Sequence, residues 1–212
     1  MANLLLGVTG SVAAVKTPLL YETLTRRGHA VKVVATAASL YFFDPAELPS
    51  EALVLDEDEW PGRREGRRWQ RDDEVLHIGL RRWADLLLVA PLDANTLAKF
   101  ANGLADNCLT CAWRAWEPKR PIVLAPAMNT LMWQHPATAR HLRQIASDMD
   151  TTPPNGLALD ELLVWINGCL GRLTIVEPED RRLACGDVGV GAMANVESIA
   201  DRVQKILDER SA

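Results

Sequence analysis

Leu4-Leu5-Leu6-Gly7-Val8-Thr9-Gly10-Ser11 is the stretch that decides the fold of this 212-residue chain. Residues 4–8 are a short apolar run, long enough for a buried strand and too short for a helix. Gly10 and Ser11 break the run. The apolar positions that follow, Val15, Leu19, Leu20 and Leu24, share one helical face, and Gly28 is placed to stop that helix. The pattern recurs along the chain: residues 31–35 run into Thr36-Ala37-Ala38-Ser39, residues 86–90 stop at Pro91, and residues 122–125 stop at Pro126. Apolar strands separated by helical segments predict an α/β chain with a parallel sheet and helices on both faces, in three layers. Such sheets take their ligands at the carboxyl ends of the strands, so the chemistry is expected just after each run.

Composition agrees with one ordinary globular domain over 1–212. The chain is 48% apolar and 24% charged, which excludes a disordered or collagenous polymer. A formal net charge of -5 gives no footprint for nucleic acid. Arg63, Arg64, Arg67, Arg68 and Arg71 crowd one stretch, but Glu65, Asp72, Asp73 and Glu74 are interleaved, so it reads as a solvated loop. The uncharged run that starts the chain is too short to span a membrane and has no basic flank, so neither a membrane anchor nor a signal peptide is expected. Four cysteines in such a chain are expected to stay reduced, in the cytoplasm. Residues 44–73 read as a long surface excursion, residues 157–166 as a short amphipathic helix and residues 196–207 as a closing helix.

Several segments could carry chemistry. Gly7-Val8-Thr9-Gly10-Ser11 puts small residues and a hydroxyl at a helix start, which serves either an anion site or a tight turn capped by Ser11. Thr36 and Ser39 leave the second strand, and Asp93-Ala94-Asn95-Thr96 leave the third; three polar exits together favour a phosphorylated cofactor over capping alone. Cys108-Leu109-Thr110-Cys111 has C-x-x-C spacing, but no second pair stands at zinc spacing and its neighbours are apolar, so these read as core residues and no metal is expected. His77 precedes the third strand, and Asn129 follows the fourth in Pro126-Ala127-Met128-Asn129-Thr130-Leu131-Met132-Trp133. Asn129 suits either a cap or a carboxylate-binding amide. Cys185 lies in the glycine-punctuated stretch 182–193, where a thiol is a better reagent than in a core helix.

The segments Gly10-Ser11-Val12-Ala13-Ala14, 77–85, Ala90-Pro91-Leu92-Asp93-Ala94-Asn95-Thr96, 126–133 and Leu183-Ala184-Cys185-Gly186-Asp187 occur in the order found in the homo-oligomeric flavin-containing cysteine decarboxylases, which the chain resembles. The resemblance covers most of residues 3–146 and 180–196. It implies a Rossmann-like flavoprotein fold and FMN held by Gly10, Ser11, Val12, Thr36, Ser39, Asp93, Ala94, Asn95, Thr96 and Ala127. It also implies a catalytic His77, an Asn129 that binds the substrate carboxylate and a Cys185 that donates the last proton. Arg182, Ala184 and Met193 would belong to a substrate flap, 181–195. The implied reaction is decarboxylation of 4'-phosphopantothenoylcysteine to 4'-phosphopantetheine for coenzyme A, in a homotrimer or trimer-based homo-oligomer, with a separate synthetase supplying the substrate.

Losing CO2 from an unactivated cysteine leaves a carbanion with no sink. Prior oxidation of the thiol by FMN turns that carbanion into an enethiolate, and hydride return with a proton then saturates it. Three other activities compete: oxidative decarboxylation of a C-terminal peptidyl cysteine, flavin prenyl transfer, and a non-catalytic regulatory subunit that keeps the FMN fold. The joint presence of His77, Asn129 and Cys185 favours the phosphopantothenoylcysteine reaction over these three. Two features depart from the family: Asp93 stands where serine is common, and residues 147–180 form a longer segment before the flap, expected as a surface helix.

Overall fold

The computed structural model describes residues 1–150, 152–169, 172–182, 186 and 188–211. Its centre is a parallel sheet of β1 (Asn3–Val8), β2 (Ala30–Ala35), β3 (Leu53–Leu55), β4 (Leu86–Leu92), β5 (Ile122–Pro126) and β6 (Leu173–Ile175), in the spatial order β3-β2-β1-β4-β5-β6. The strand order reverses between β1 and β4, and this is where a doubly wound sheet opens a crevice. β1 pairs with β2 on one side and β4 on the other, Leu6 facing Val33 and Leu88.

The alternation of side chains sorts the strands into two cores. Leu4, Leu6 and Val8 with Leu86, Leu88 and Ala90 face α1 (Thr17–Arg26) and α8 (Val196–Ser211). Leu5, Leu87 and Val89 face the other layer, which includes α2 (Leu76–Trp83), α3 (Ala94–Asn102), α4 (Cys108–Arg114), α5 (Thr130–Gln134), α6 (Pro136–Asp148) and α7 (Leu159–Gly168). All seven residues of β4 are buried, as a central strand covered on both faces requires. Each buried leucine contributes on the order of 2 kcal/mol.

Three expectations change. The first helix is not continuous from Val15: residues Val12–Lys16 form a 3-10 turn and α1 begins at Thr17. Pro18 is the reason, because its ring and missing N–H suit a first helical turn and not an interior. The excursion 44–73 contains β3 and sends Glu59 into the interior at 6% exposure. The segment expected as a surface helix buries Leu162, Leu163 and Ile166 of α7 and supplies β6, paired with β5. Among the described residues no helix is long and apolar enough to cross a membrane.

Candidate active site

The turns after β1 and β4 are joined by one buried hydroxyl. Thr9 Oγ1 donates to the Pro91 carbonyl at 2.9 Å and accepts the Asp93 N–H at 2.7 Å. This fixes Gly10 against the start of α3. A Cβ on Gly10 would come within 2.7 Å of the Ala38 Cβ and 3.3 Å of Asp93 Oδ2, so the close approach of the three strand exits needs glycine here. Ser11 Oγ accepts the Ala13 N–H at 3.4 Å and caps the short turn. Asp93 Oδ1 accepts the Thr96 N–H at 2.6 Å and caps α3, a task for which aspartate and serine serve equally.

Thr36 and Ser39 are placed at the crevice, but their hydroxyls turn inward. Thr36 Oγ1 donates to the Val8 carbonyl at 3.2 Å and Ser39 Oγ to the Thr36 carbonyl at 2.7 Å. Both side chains are buried, so these hydroxyls hold the turn together. Ala37 and Ala38 lie exposed on its outer side. A cavity of about 280 Å³ opens there, lined by Thr36, Ala37, Ala38, Asp93, Asn95 and Thr96 with Asp56, Lys99, Asp106 and Asn107. Burial pushes the Asp56 carboxyl up, against the Ala37 N–H that it accepts at 3.0 Å. The small-residue cradle at Gly10 and Ala38 gives a flat cofactor such as FMN room to approach, while the cavity itself carries the carboxylates of Asp56, Asp93 and Asp106 and one cation, Lys99, that pairs with Asp106, so a phosphate belongs at the first turn and not in this cavity.

His77 sits in the first turn of α2. Its Nδ1 lies 2.5 Å from Glu59 Oε1, and its main-chain N–H donates to Glu59 Oε2 at 3.2 Å. Nothing in the acidic run Asp56-Glu57-Asp58-Glu59 marked this carboxylate as buried, and sequence reasoning missed it. The arginine-rich stretch that follows is largely exposed and pairs with its own acids, Arg64 with Glu57 and Arg67 with Asp73 at 2.5 Å. It also encloses a cavity of about 540 Å³ whose lining includes Glu59, Trp60, Trp69, Arg63, Arg67 and Arg68.

Asn129 caps α5, its Oδ1 accepting the Leu131 N–H at 2.8 Å. Ala127, buried, donates its N–H to the Leu92 carbonyl at 2.9 Å, which ties β5's exit to β4's. Over this segment lies a hairpin of β7 (Glu179–Arg182) and β8 (Val188–Ala192). The Met128 N–H donates to the Gly191 carbonyl at 3.0 Å. The hairpin is anchored at its base, where Glu179 Oε1 accepts the main-chain and side-chain N–H groups of Asn195 at 2.9 and 3.0 Å.

The expected flap residues divide. Ala184 and Cys185 lie outside the described residues, as does the Arg182 side chain, although the Arg182 main chain belongs to β7. Met193 is 2% exposed and packs in the core with Val196 and Ile199. Val12, Ala94 and Asn95 reach the surface or half-bury beside the first turn and the start of α3. Lys16, also missed, is near the hairpin: burial and the like charge of Arg181 lower its ammonium pKa, opposed by Glu179. Cys108 is fully buried and Cys111 half-buried; burial, with Glu59 and other acids nearby, pushes both thiols up, away from redox or metal-binding thiolates. Among the described residues no group of three or more metal-ligating side chains assembles.

The Flavoprotein family profile matches residues 1–208. Phosphopantothenoylcysteine decarboxylase of Mus musculus is 44% identical, covering 99% of this chain and 89% of its own length. The Arabidopsis thaliana protein of the same name is 46% identical, over 95% of this chain and 83% of its own. Among solved structures, a cysteine-to-serine variant of PPC decarboxylase complexed with pantothenoylaminoethenethiol superposes with a TM-score of 0.78, at 41% identity over 98% of both chains. The FMN binding protein AtHal3 superposes with a TM-score of 0.74, at 43% identity over 98% of this chain and 97% of that one.

Proposed function

Because the chain belongs to the Flavoprotein family, we propose that it is an FMN-dependent decarboxylase converting 4'-phosphopantothenoylcysteine to 4'-phosphopantetheine in coenzyme A biosynthesis. The whole-chain likeness to proteins named for that reaction supports the substrate. What carries the reaction type is a convergence at the carboxyl ends of β1, β4 and β5. There the glycine cradle, the capped start of α3 and Asn129 under the hairpin gather polar groups, while Glu59 holds His77 at the start of α2.

Gly10, Ser11 and Val12 would hold the FMN phosphate at the first turn, with Thr36, Ser39, Asp93, Ala94, Asn95, Thr96 and Ala127 around the remainder. Since the Thr36 and Ser39 hydroxyls serve the main chain and their own N–H groups donate to the Val8 and Thr36 carbonyls, their contribution is the shape of the turn. Bound FMN supplies the two-electron oxidation of the substrate thiol and the return of that electron pair. His77 takes and gives protons at the cysteine end. The Asn129 amide donates a hydrogen bond to the carboxylate without neutralising it. Cys185 gives the final proton to carbon, and Arg182, Ala184 and Met193 belong to the flap 181–195 that shields this step from water, Met193 as a buried anchor.

The protein acts as one domain over 1–212 with 147–180 as an added segment, in the cytoplasm, as a homotrimer or trimer-based assembly fed by a separate synthetase. Exposed Val12, Val15 and Leu19 beside the first turn, and Leu131 and Val188 beside Asn129, support contact between copies near the site. The test is mass spectrometry of the FMN-loaded protein with 4'-phosphopantothenoylcysteine and, separately, with a peptide ending in cysteine. Loss of CO2 alone from the first substrate is expected. Loss of CO2 and two hydrogens from the peptide would move the function to peptide modification.

A further inference from the structure

Glu59 closes the acidic turn Asp56–Glu59, yet its side chain is only 2% exposed. A buried carboxylate is costly unless it is well supplied with donors. Its donors come from α2, the His77 ring and the His77 main-chain N–H, with the Cys108 thiol of α4 nearby. Burial of an acid whose two oxygens both serve one histidine is more than stability requires of a surface turn.

We propose that Glu59 is the positioning residue of His77, holding the imidazole with its proton on Nδ1 and leaving Nε2 for proton transfer with the substrate. The proposal rests on the reading of His77 as catalytic. A carboxylate only accepts hydrogen bonds, so the ring nitrogen 2.5 Å from Oε1 carries the proton. The second contact, from the His77 main chain to Oε2, fixes the carboxylate plane and hence the ring. When Nε2 takes a proton the ring becomes a cation beside a buried anion, which stabilises that state as it forms.

The Glu59→Gln variant tests this because glutamine has a single side-chain oxygen. That oxygen is needed by the His77 main-chain N–H, so the amide NH2 meets Nδ1 and favours the opposite tautomer. In FMN-loaded protein with 15N-labelled histidine, the His77 signals, assigned by their loss in His77→Asn, should show Nδ1 protonated in the wild type and Nε2 protonated in the variant. kcat should fall about 10²- to 10⁴-fold with KM within about threefold and FMN affinity unchanged. A variant with wild-type kcat, or a wild type with Nδ1 unprotonated, overturns the proposal; so does a variant that loses FMN or unfolds, which would make Glu59 a structural acid. If the wild type leaves phosphopantothenoylcysteine unchanged, the decarboxylase reading fails, while the tautomer measured in that same protein still decides the pairing.

Discussion

The main-chain N–H of Met128 donates to the carbonyl of Gly191 at 3.0 Å, so the hairpin and the segment carrying Asn129 meet backbone to backbone. A Cβ on Gly191 would stand 2.3 Å from the Met128 oxygen, and its φ of +152° is one that side-chain-bearing residues rarely adopt. Gly191→Ala is therefore expected to lift the hairpin. Turnover should drop at least tenfold while FMN binding, proposed to rest on the first turn at Gly10, persists. Stability should fall by about 1–3 kcal/mol in denaturant titration.

Under the roles proposed for them, His77 and Cys185 act at different steps, and their variants should leave different products. His77→Asn should keep FMN and release CO2 at least 10²-fold more slowly. Cys185→Ser should release CO2 and accumulate the enethiol, two hydrogens lighter than the saturated product by mass spectrometry. Saturated product from Cys185→Ser at the wild-type rate would remove that residue from the last step.

The cap that Asn129 makes and the carboxylate binding proposed for it can be separated by substitution. Its Oδ1 caps α5, and aspartate caps a helix as well as asparagine does. Asn129→Asp should thus retain stability within about 0.5 kcal/mol and yet raise KM more than tenfold, because it sets a carboxylate against the substrate's own. Asn129→Ala should lose about 1 kcal/mol with the cap. Equal KM for Asn129→Asp and the wild type would refute carboxylate binding here.

Gly10 tests the cofactor cradle. Gly10→Ala places a methyl 2.7 Å from the Ala38 Cβ, so the exits of β1 and β2 must part. FMN affinity, followed by flavin fluorescence, is expected to weaken at least tenfold with little change in far-UV circular dichroism. Undiminished binding would place the cofactor elsewhere.

Acid should loosen the hairpin through Glu179. Burial raises its carboxyl pKa, but the Asn195 donors, with Arg181 and Lys16, outweigh that and hold it below the ordinary range. The folded state therefore prefers the ionised form. Its contribution is present above the unfolded value of about 4.3 and is lost as pH falls through the lower folded value. Hydrogen exchange of β7 and β8, referenced to α8, should accelerate as pH drops below the ordinary glutamate range. Glu179→Gln should flatten that dependence.

Four strands and their polar exits were legible because they are short-range patterns: uninterrupted apolar runs ended by glycine, proline or hydroxyl residues. β3 and β6 were not, since three residues such as Leu53–Leu55 or Leu173–Ile175 carry no periodicity of their own and become strands by pairing with β2 and β5. The break between the 3-10 turn and α1 was written in Pro18 and went unread. Asp93 looked like a departure from a serine pattern, and the structure gives its carboxylate a local task, the cap on α3.

By itself the sequence determined the α/β order and marked the polar strand exits, and its resemblance to a family singled out His77, Asn129 and Cys185 for testing. Tertiary structure decided what each polar group faces. Thr36 and Ser39 turn their hydroxyls to the main chain, Met193 enters the core, and Glu59 leaves an acidic surface run to hold a histidine 18 positions away. The physical reason is that apolar periodicity is local, whereas the cost of burying a charge is settled only by donors that folding brings from other elements.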